Sequence, residues 1–194
     1  MQPSTMRIAI AIAAVLSIAL LAPAPATADD AGLFGYFRSI CGSVPDPAAA
    51  VARAAEQGFA PAKKTPKVGD LKEVKAFEKT VGGREFFVIT GRGVGKPRDG
   101  VPASATAACG VGVKGKDEAA MAAGRRWVGV PASRSVLGVA FHAYRQAGGA
   151  RTALSFDDRA ATKAAVLAGD LNVLTVSSLG GSTVLFLSRS RAAS

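Results

Sequence analysis

Apolar positions recur with two different periods along this chain, and each period predicts its own elements. At helical spacing, Leu33, Tyr36, Phe37 and Ile40 form one face just ahead of Cys41, which predicts a short core-facing helix. Asp46-Pro47 is a helix start, with Asp as N-cap and Pro at the first helical position. Residues 48–57 have high helix propensity, Gly58 fits a stop and Phe59 can pack back. Residues 60–69 read as a loop rich in Lys and Pro. Residues 71–81 admit two readings. Leu71, Val74, Phe77 and Val81 fit a helical stripe, but Gly82-Gly83 is a hairpin signal ahead of an apolar run at 85–90, which favours a strand near 74–80.

Residues 86–89 are apolar on both faces, as a central strand should be, and 91–100 (GRGVGKPRDG) reads as a loop. Residues 106–113 alternate: Cys109, Val111 and Val113 face the core, while Ala108, Gly110 and Gly112 leave a small face open to close approach. Asp117 caps an alanine-rich helix over 118–126. A strand over 136–144, a turn at 146–149 and a hairpin partner over 151–156 follow. Asp157 or Asp158 caps a helix over 159–168, stopped by Gly169, and 171–177 pairs with 182–188 about Gly180-Gly181. The order β-β-α-β-β-α-β-β predicts an α+β domain: a mainly antiparallel sheet of about six strands with two to four short helices on one face. Ala119, Ala120, Ala123, Gly124 and Val128 are echoed by Ala164, Ala165, Ala168, Gly169 and Val173, a match that alanine richness makes easy.

The N-terminal pattern has neither period. One cation, Arg7, precedes an uncharged apolar run over 8–21, which ends in Pro23 and Pro25, then Ala26-Thr27-Ala28, then Asp29-Asp30. The run is shorter than the roughly 20 residues that span a bilayer, and small residues sit at an A-x-A site. This predicts a signal peptide over 1–28 cleaved after Ala28, in preference to an uncleaved anchor. No cysteine ends the leader and no Arg pair precedes it, so neither a lipid anchor nor a twin-arginine signal is expected. The prediction leaves a single domain over 29–189, a frayed tail at 190–194, and a periplasmic or secreted location.

Composition then narrows the partners. Lys and Arg number 24 against 14 Asp and Glu, for a net charge of +10. Such an excess favours anionic partners, and export makes nucleic acid the least available of these. An anionic envelope lipid or polymer, or another envelope protein, is expected instead. The densest basic stretch holds Lys63, Lys64, Lys67, Lys72, Lys75, Lys79 and Arg84, the candidate anion contact; a merely solvated face is the plainer reading. Cys41 and Cys109 are the only cysteines, and an even count in an oxidising compartment predicts a disulfide, stabilising by about 4 kcal/mol in the chain-entropy model. A redox thiol is disfavoured because no C-x-x-C exists.

Catalytic patterns are scarce. Gly91-Arg92-Gly93-Val94-Gly95-Lys96-Pro97 misses the phosphate-loop spacing and has Pro where Ser or Thr belongs; at most it offers a non-specific anion contact through Arg92, Lys96 and Arg98. One His and two paired Cys cannot build a zinc site, and no cofactor is implied. Asp157 and Asp158 fit a helix cap better than a calcium site. Neither G-x-S-x-G nor S-x-x-K occurs. The expectation is a non-catalytic envelope protein. The alternative is a small exported hydrolase in which His142 meets a Ser and an Asp in space; a further one is a partner protein using Trp127, Arg125 and Arg126 as an interface.

Phe37-x-x-x-Cys41, the helix ending at Gly58-Phe59, Cys109-Gly110-Val111, and the closing Ala168-Gly169 with the stretch 185–189 together resemble small, uncharacterised exported proteins of Gram-negative bacteria. The resemblance is diffuse and spans most of the chain. It implies export and pairing of the two cysteines, and no activity, cofactor or functional residue.

Overall fold

The computed structural model describes residues 32–43, 45–98 and 100–193; the expected leader lies outside them. In chain order the elements are α1 (Leu33–Cys41), α2 (Pro47–Glu56), β1 (Ala60–Pro61), β2 (Leu71–Val81), β3 (Arg84–Gly95), β4 (Ser104–Lys114), α3 (Glu118–Val128), β5 (Arg134–Val136), β6 (Val139–Ala147), β7 (Ala150–Ala153), α4 (Arg159–Ala168), β8 (Leu171–Leu179) and β9 (Ser182–Ala192). The chain is α+β, with one antiparallel sheet in the order β1-β2-β3-β4-β9-β8-β6-β5 and β7 paired to β6. The described residues hold nine strands instead of about six, and the element order differs from the predicted one.

The differences have local causes. Residues 91–95 continue β3 instead of looping, because glycine at alternate positions makes room for its neighbours. A Cβ at Gly95 would stand 2.9 Å from Ser104 Oγ, and one at Gly93 would stand 3.1 Å from Leu71 Cδ2. The predicted strand over 136–144 is a hairpin: β5 and β6 pair through Val136 and Val139, with Leu137 (φ 48°) and Gly138 (φ 80°) in the left-handed region at the turn. The predicted tail is strand, since β9 pairs Arg191 with Ala105 and Ala192 with Ser104. Residues 71–81 form a strand, bulged between Lys72 and Lys75.

Period-2 alternation gives the sheet two faces. On the first, the row Val88, Val111, Leu185 and Val176 crosses β3, β4, β9 and β8 and is fully buried under α1, α2 and α3. Cys109 lies on this face and bonds Cys41 at the end of α1, 68 residues away in sequence. Asp46 caps α2 through the amide of Ala48 at 3.0 Å, and Phe59, just beyond the helix, packs edge-on against Tyr36. Gly124 lets α3 sit close to β9: a Cβ there would stand 2.8 Å from the buried Leu185.

The helices do not share one face, as the sequence suggests they should. Helix α4 packs at one end of the opposite face, where Ala165 and Val166 meet Ala143 and Leu171. The echo between the α3 and α4 segments is therefore not a structural repeat. Gly124 is a packing contact inside α3, whereas its counterpart Gly169 caps α4 at φ 68°.

Asp117 joins three elements. It caps α3 through the Ala120 amide at 2.9 Å, accepts from Arg84 of β3 at 2.7 Å, and its own amide donates to Thr183 of β9 at 2.9 Å. Burial raises its pKa, but the hydrogen bonds from Arg84 and Ala120 and the Arg84 charge outweigh it, and the carboxyl sits below its ordinary 3.8. A lowered native pKa means the contribution is complete above about pH 4 and is lost as pH falls through the lowered value. Asp117→Asn should therefore narrow the gap between melting temperatures at about pH 7 and about pH 3, which thermal unfolding at both values reads directly.

Candidate functional site

The basic residues anticipated between 63 and 84 do not act as one surface. Lys79 is committed internally: its Nζ donates to Gln57 O at 2.6 Å, closing the end of α2, and lies 5.2 Å from the centre of the Tyr36 ring. Arg84 holds Asp117 and stacks 5.4 Å from the Phe86 ring. Lys63, Lys64 and Lys67 are exposed on the loop before β2, and Lys72 and Lys75 are exposed on β2 itself. Strand β1 covers β2 only opposite Phe77 and Glu78, so the beginning of β2 is a sheet edge. Lysine and a bulge on such an edge discourage pairing with another chain, which gives the solvated reading of these residues a structural purpose.

The register nevertheless carries Lys72 to other cations. Lys72 is opposite Arg92, Arg92 opposite Ala107, and Ala107 opposite Arg189, so one row crosses β2, β3, β4 and β9 on the first face. Strands about 4.8 Å apart place Arg92 and Arg189 about 10 Å apart across the small Ala107. Arg191 lies one step further along β9, opposite Ala105. Arg92, Arg189 and Arg191 border a cleft of about 740 Å³, floored by Ala105 and Ala107 and closed by Asp46 and Pro47 at the start of α2 and by Ala168 and Gly169 at the end of α4. Arg189 is oriented by its Nε, which donates to Gly169 O at 2.7 Å. Arg92 lies 4.0 Å from Glu73, with both side chains largely exposed. Guanidinium groups flanking a floor of methyl groups match a carboxylate or phosphate, which accepts two parallel N–H bonds from one guanidinium.

A second cleft, of about 710 Å³, lies at the same end of the sheet. Lys96, Arg98, Arg134 and Arg159 line it around Phe141 and Phe156. Asp157 stands 3.7 Å from Arg134, while Asp158 caps α4 through the Ala161 amide at 2.9 Å. The contact sought from Arg92, Lys96 and Arg98 is thus split between two clefts. In the place of one phosphate loop, cations from four separate segments gather at one end of the sheet.

The other candidates stay apart. His142 is 4% exposed; its Nδ1 is 2.9 Å from Val130 O, and its buried Nε2 has no hydrogen-bond partner. No Ser hydroxyl or carboxylate is hydrogen-bonded to it, so the serine–histidine–aspartate arrangement is not assembled. Ser133, close in sequence to Val130, instead donates to Leu154 O and accepts from the Ala143 amide at 3.0 Å. Trp127 is half-buried: its ring meets Phe37 edge-on at 5.3 Å and lies 4.1 Å from the Arg151 guanidinium. Arg151 also donates to Trp127 O and lies 5.4 Å from the ring of Tyr144, whose pKa burial raises. Trp127 thus buttresses α1, while Arg125 and Arg126 beside it are exposed.

No family model, curated protein or solved structure matches this chain. Among the described residues, no group of three His, Cys, Asp or Glu could hold a metal ion, and no helix is long and apolar enough to cross a membrane.

The first cleft depends on Arg191, which falls in the expected tail at 190–194, and on Arg189, at the last position of the expected domain. Their signal was present: Ser188-Arg189-Ser190-Arg191 continues the period of the strand before it. Only the pairing with β4 shows that the strand does not stop.

Proposed function

We propose that this is an exported, non-catalytic protein of the cell envelope, periplasmic or secreted, that holds an anionic lipid headgroup or acidic polymer at the basic end of its sheet. The observation that carries this reading is the set Arg92, Arg189 and Arg191 around a floor of Ala105 and Ala107. A row of guanidiniums on a rigid sheet is held in place, unlike lysines on a loop, and so costs less ordering when a ligand binds. The leader-like N-terminus and the net charge of +10 support the same reading.

Co-sedimentation with vesicles of anionic or zwitterionic phospholipid, and retention on an acidic polysaccharide, separate the two sources of the anion. The chain should bind at least one anionic matrix at low salt and be released as the ionic strength rises. The pair Arg189→Glu and Arg191→Glu should weaken binding by about tenfold or more, and reversal at Lys63, Lys64 and Lys67 by less, since mobile exposed charges are screened. Absence of binding at low salt would overturn the reading, as would binding indifferent to Arg189 and Arg191.

A further inference from the structure

The second cleft differs from the first in its floor. Around Phe141 and Phe156, its described lining residues set four cations, Lys96, Arg98, Arg134 and Arg159, against one carboxylate, Asp157. Asp157 offsets little of this charge: it stands 3.7 Å from Arg134, and the two side chains are 88% and 57% exposed. Phe141 also begins an uncharged row on the second face of the sheet. The register sets it beside Thr175, Phe186, Gly110 and Ile89, so the row crosses β6, β8, β9, β4 and β3. Five strands about 4.8 Å apart make it about 19 Å long. Val139, Ser177, Val184, Gly112 and Phe87 form a second uncharged row alongside. Water-facing antiparallel strands normally carry polar side chains, yet the apolar members of both rows are partly exposed. Their rings lie low on the strands. A Cβ at Gly110 would stand 2.3 Å from the Phe186 ring, and one at Gly112 would stand 2.2 Å from the Phe87 ring. A low apolar track thus leads away from a cationic cleft. At the far edge Glu78 ends the second row and Lys114 is paired with Glu85, so the surplus of positive charge beside the track lies at the cleft.

We infer that this cleft and track hold one molecule of a single-chain anionic lipid, its phosphate or carboxylate between Lys96, Arg134 and Arg159 and its hydrocarbon chain along Phe141, Phe186 and Ile89. The three cations come from three segments, and each guanidinium can donate two parallel N–H bonds to such a head. A chain laid on the track takes both itself and the exposed rings out of water. A nucleotide or a sugar is a poorer occupant. Beyond Phe141 the two rows offer only the hydroxyls of Thr175 and Ser177, so most of its polar edges would be stranded against apolar surface.

Helix α4 favours a single molecule over an intact bilayer. It stands on this face, and its Arg159 and Thr162 line the cleft. A helix is about 10 Å across, so α4 holds a flat surface off the track while walling a molecule that lies at its foot. The inference does not rest on the anion-binding reading above, because Arg92, Arg189 and Arg191 lie on the opposite face and none of them lines this cleft.

Calorimetric titration of the chain, as the cell processes it, with monododecyl phosphate below its micelle concentration tests this. One molecule should bind per chain, with a dissociation constant of about 10 µM or tighter. Inorganic phosphate lacks the tail and dodecyl maltoside lacks the charge, and each should bind at least about tenfold more weakly. The pair Arg134→Ala and Arg159→Ala should raise the dissociation constant about tenfold or more. Thr175→Asp sets a carboxylate in the path of the hydrocarbon chain and should do the same. Circular dichroism and melting temperature show whether these variants are folded; Arg134 and Arg159 are exposed, so their pair carries the test should Thr175→Asp not fold. The pair Arg189→Glu and Arg191→Glu should leave the affinity unchanged, and its loss there would move the ligand to the first cleft and overturn the inference. No binding, equal affinity for either control, or affinity indifferent to the substitutions in folded protein overturns it too. A chain that binds anionic vesicles but not monomeric monododecyl phosphate assigns the face to a membrane surface, and equally overturns it. Binding of monododecyl phosphate without retention on vesicles or acidic polysaccharide keeps this site and removes only the reading of the first cleft.

Discussion

Replacing both Cys41 and Cys109 by alanine lowers the melting temperature by about 10 °C, and a reductant does the same to the native protein. The bond closes 68 residues between the first helix and the central strand β4. In the chain-entropy model that closure is worth about 4 kcal/mol, and a domain of this size shifts by about 2–4 °C per kcal/mol. Both cysteines are buried, so alanine also removes two packed sulfurs. The cost falls mainly on α1. It precedes every other described element, and without the bond only its apolar face holds it to the sheet. Thermal unfolding with and without reductant checks the expectation. Equal melting curves for native and double-alanine protein would show that packing alone fixes α1.

Phe37→Ala destabilises the fold by about 3–5 kcal/mol, the usual range for emptying a buried aromatic site. Phe37 is completely buried, with Phe34 at 6.4 Å and Trp127 edge-on at 5.3 Å between ring centres. Neighbouring side chains cannot collapse into the space easily, because the disulfide holds α1 at its next turn. Trp127 is the only tryptophan, so its fluorescence reports the site directly. Emission from folded Phe37→Ala protein should shift to the red as water reaches the indole. Urea unfolding gives the free energy, and a loss below about 1 kcal/mol would mean that the core relaxes around the gap. The two losses share α1, so combining Phe37→Ala with the alanine pair should cost less than the sum of the separate effects.

Helix α1 was legible because 33, 36, 37 and 40 can share a face only in a helix, and α2 because Asp46-Pro47 is a local start signal that needs no partner. Strand β4 was legible for the same kind of reason: Cys109, Val111 and Val113 alternate with small residues, and all three are buried. Where the reading failed, a local signal was ambiguous and a partner decided it. The glycines at 91, 93 and 95 resemble a loop, yet they extend β3 because β2 and β4 need the space. Residues 136–144 look like one strand, and Gly138 turns them into two. The basic stretch around 63–84 was conspicuous because its lysines are adjacent in sequence, but Lys79 and Arg84 are taken up by Gln57 and Asp117.

The sequence alone determined what is written in near neighbours: the helix faces, the caps, the alternation of β4 and the presence of two cysteines to pair. Periods of two and 3.6 residues, and the preferences of Pro, Gly and Asp, act within a few bonds and need no knowledge of the fold. Tertiary structure decided which strands are neighbours, and with that everything that depends on adjacency across the sheet. It placed Arg92 near Arg189, left His142 without a Ser or Asp, and put α4 on the opposite side from the other helices. Strand pairing sums many weak contacts between residues far apart in sequence, as in the pairing of Ser104 with Ala192. No single residue carries that information, so the cationic clefts could not be read before the chain was folded.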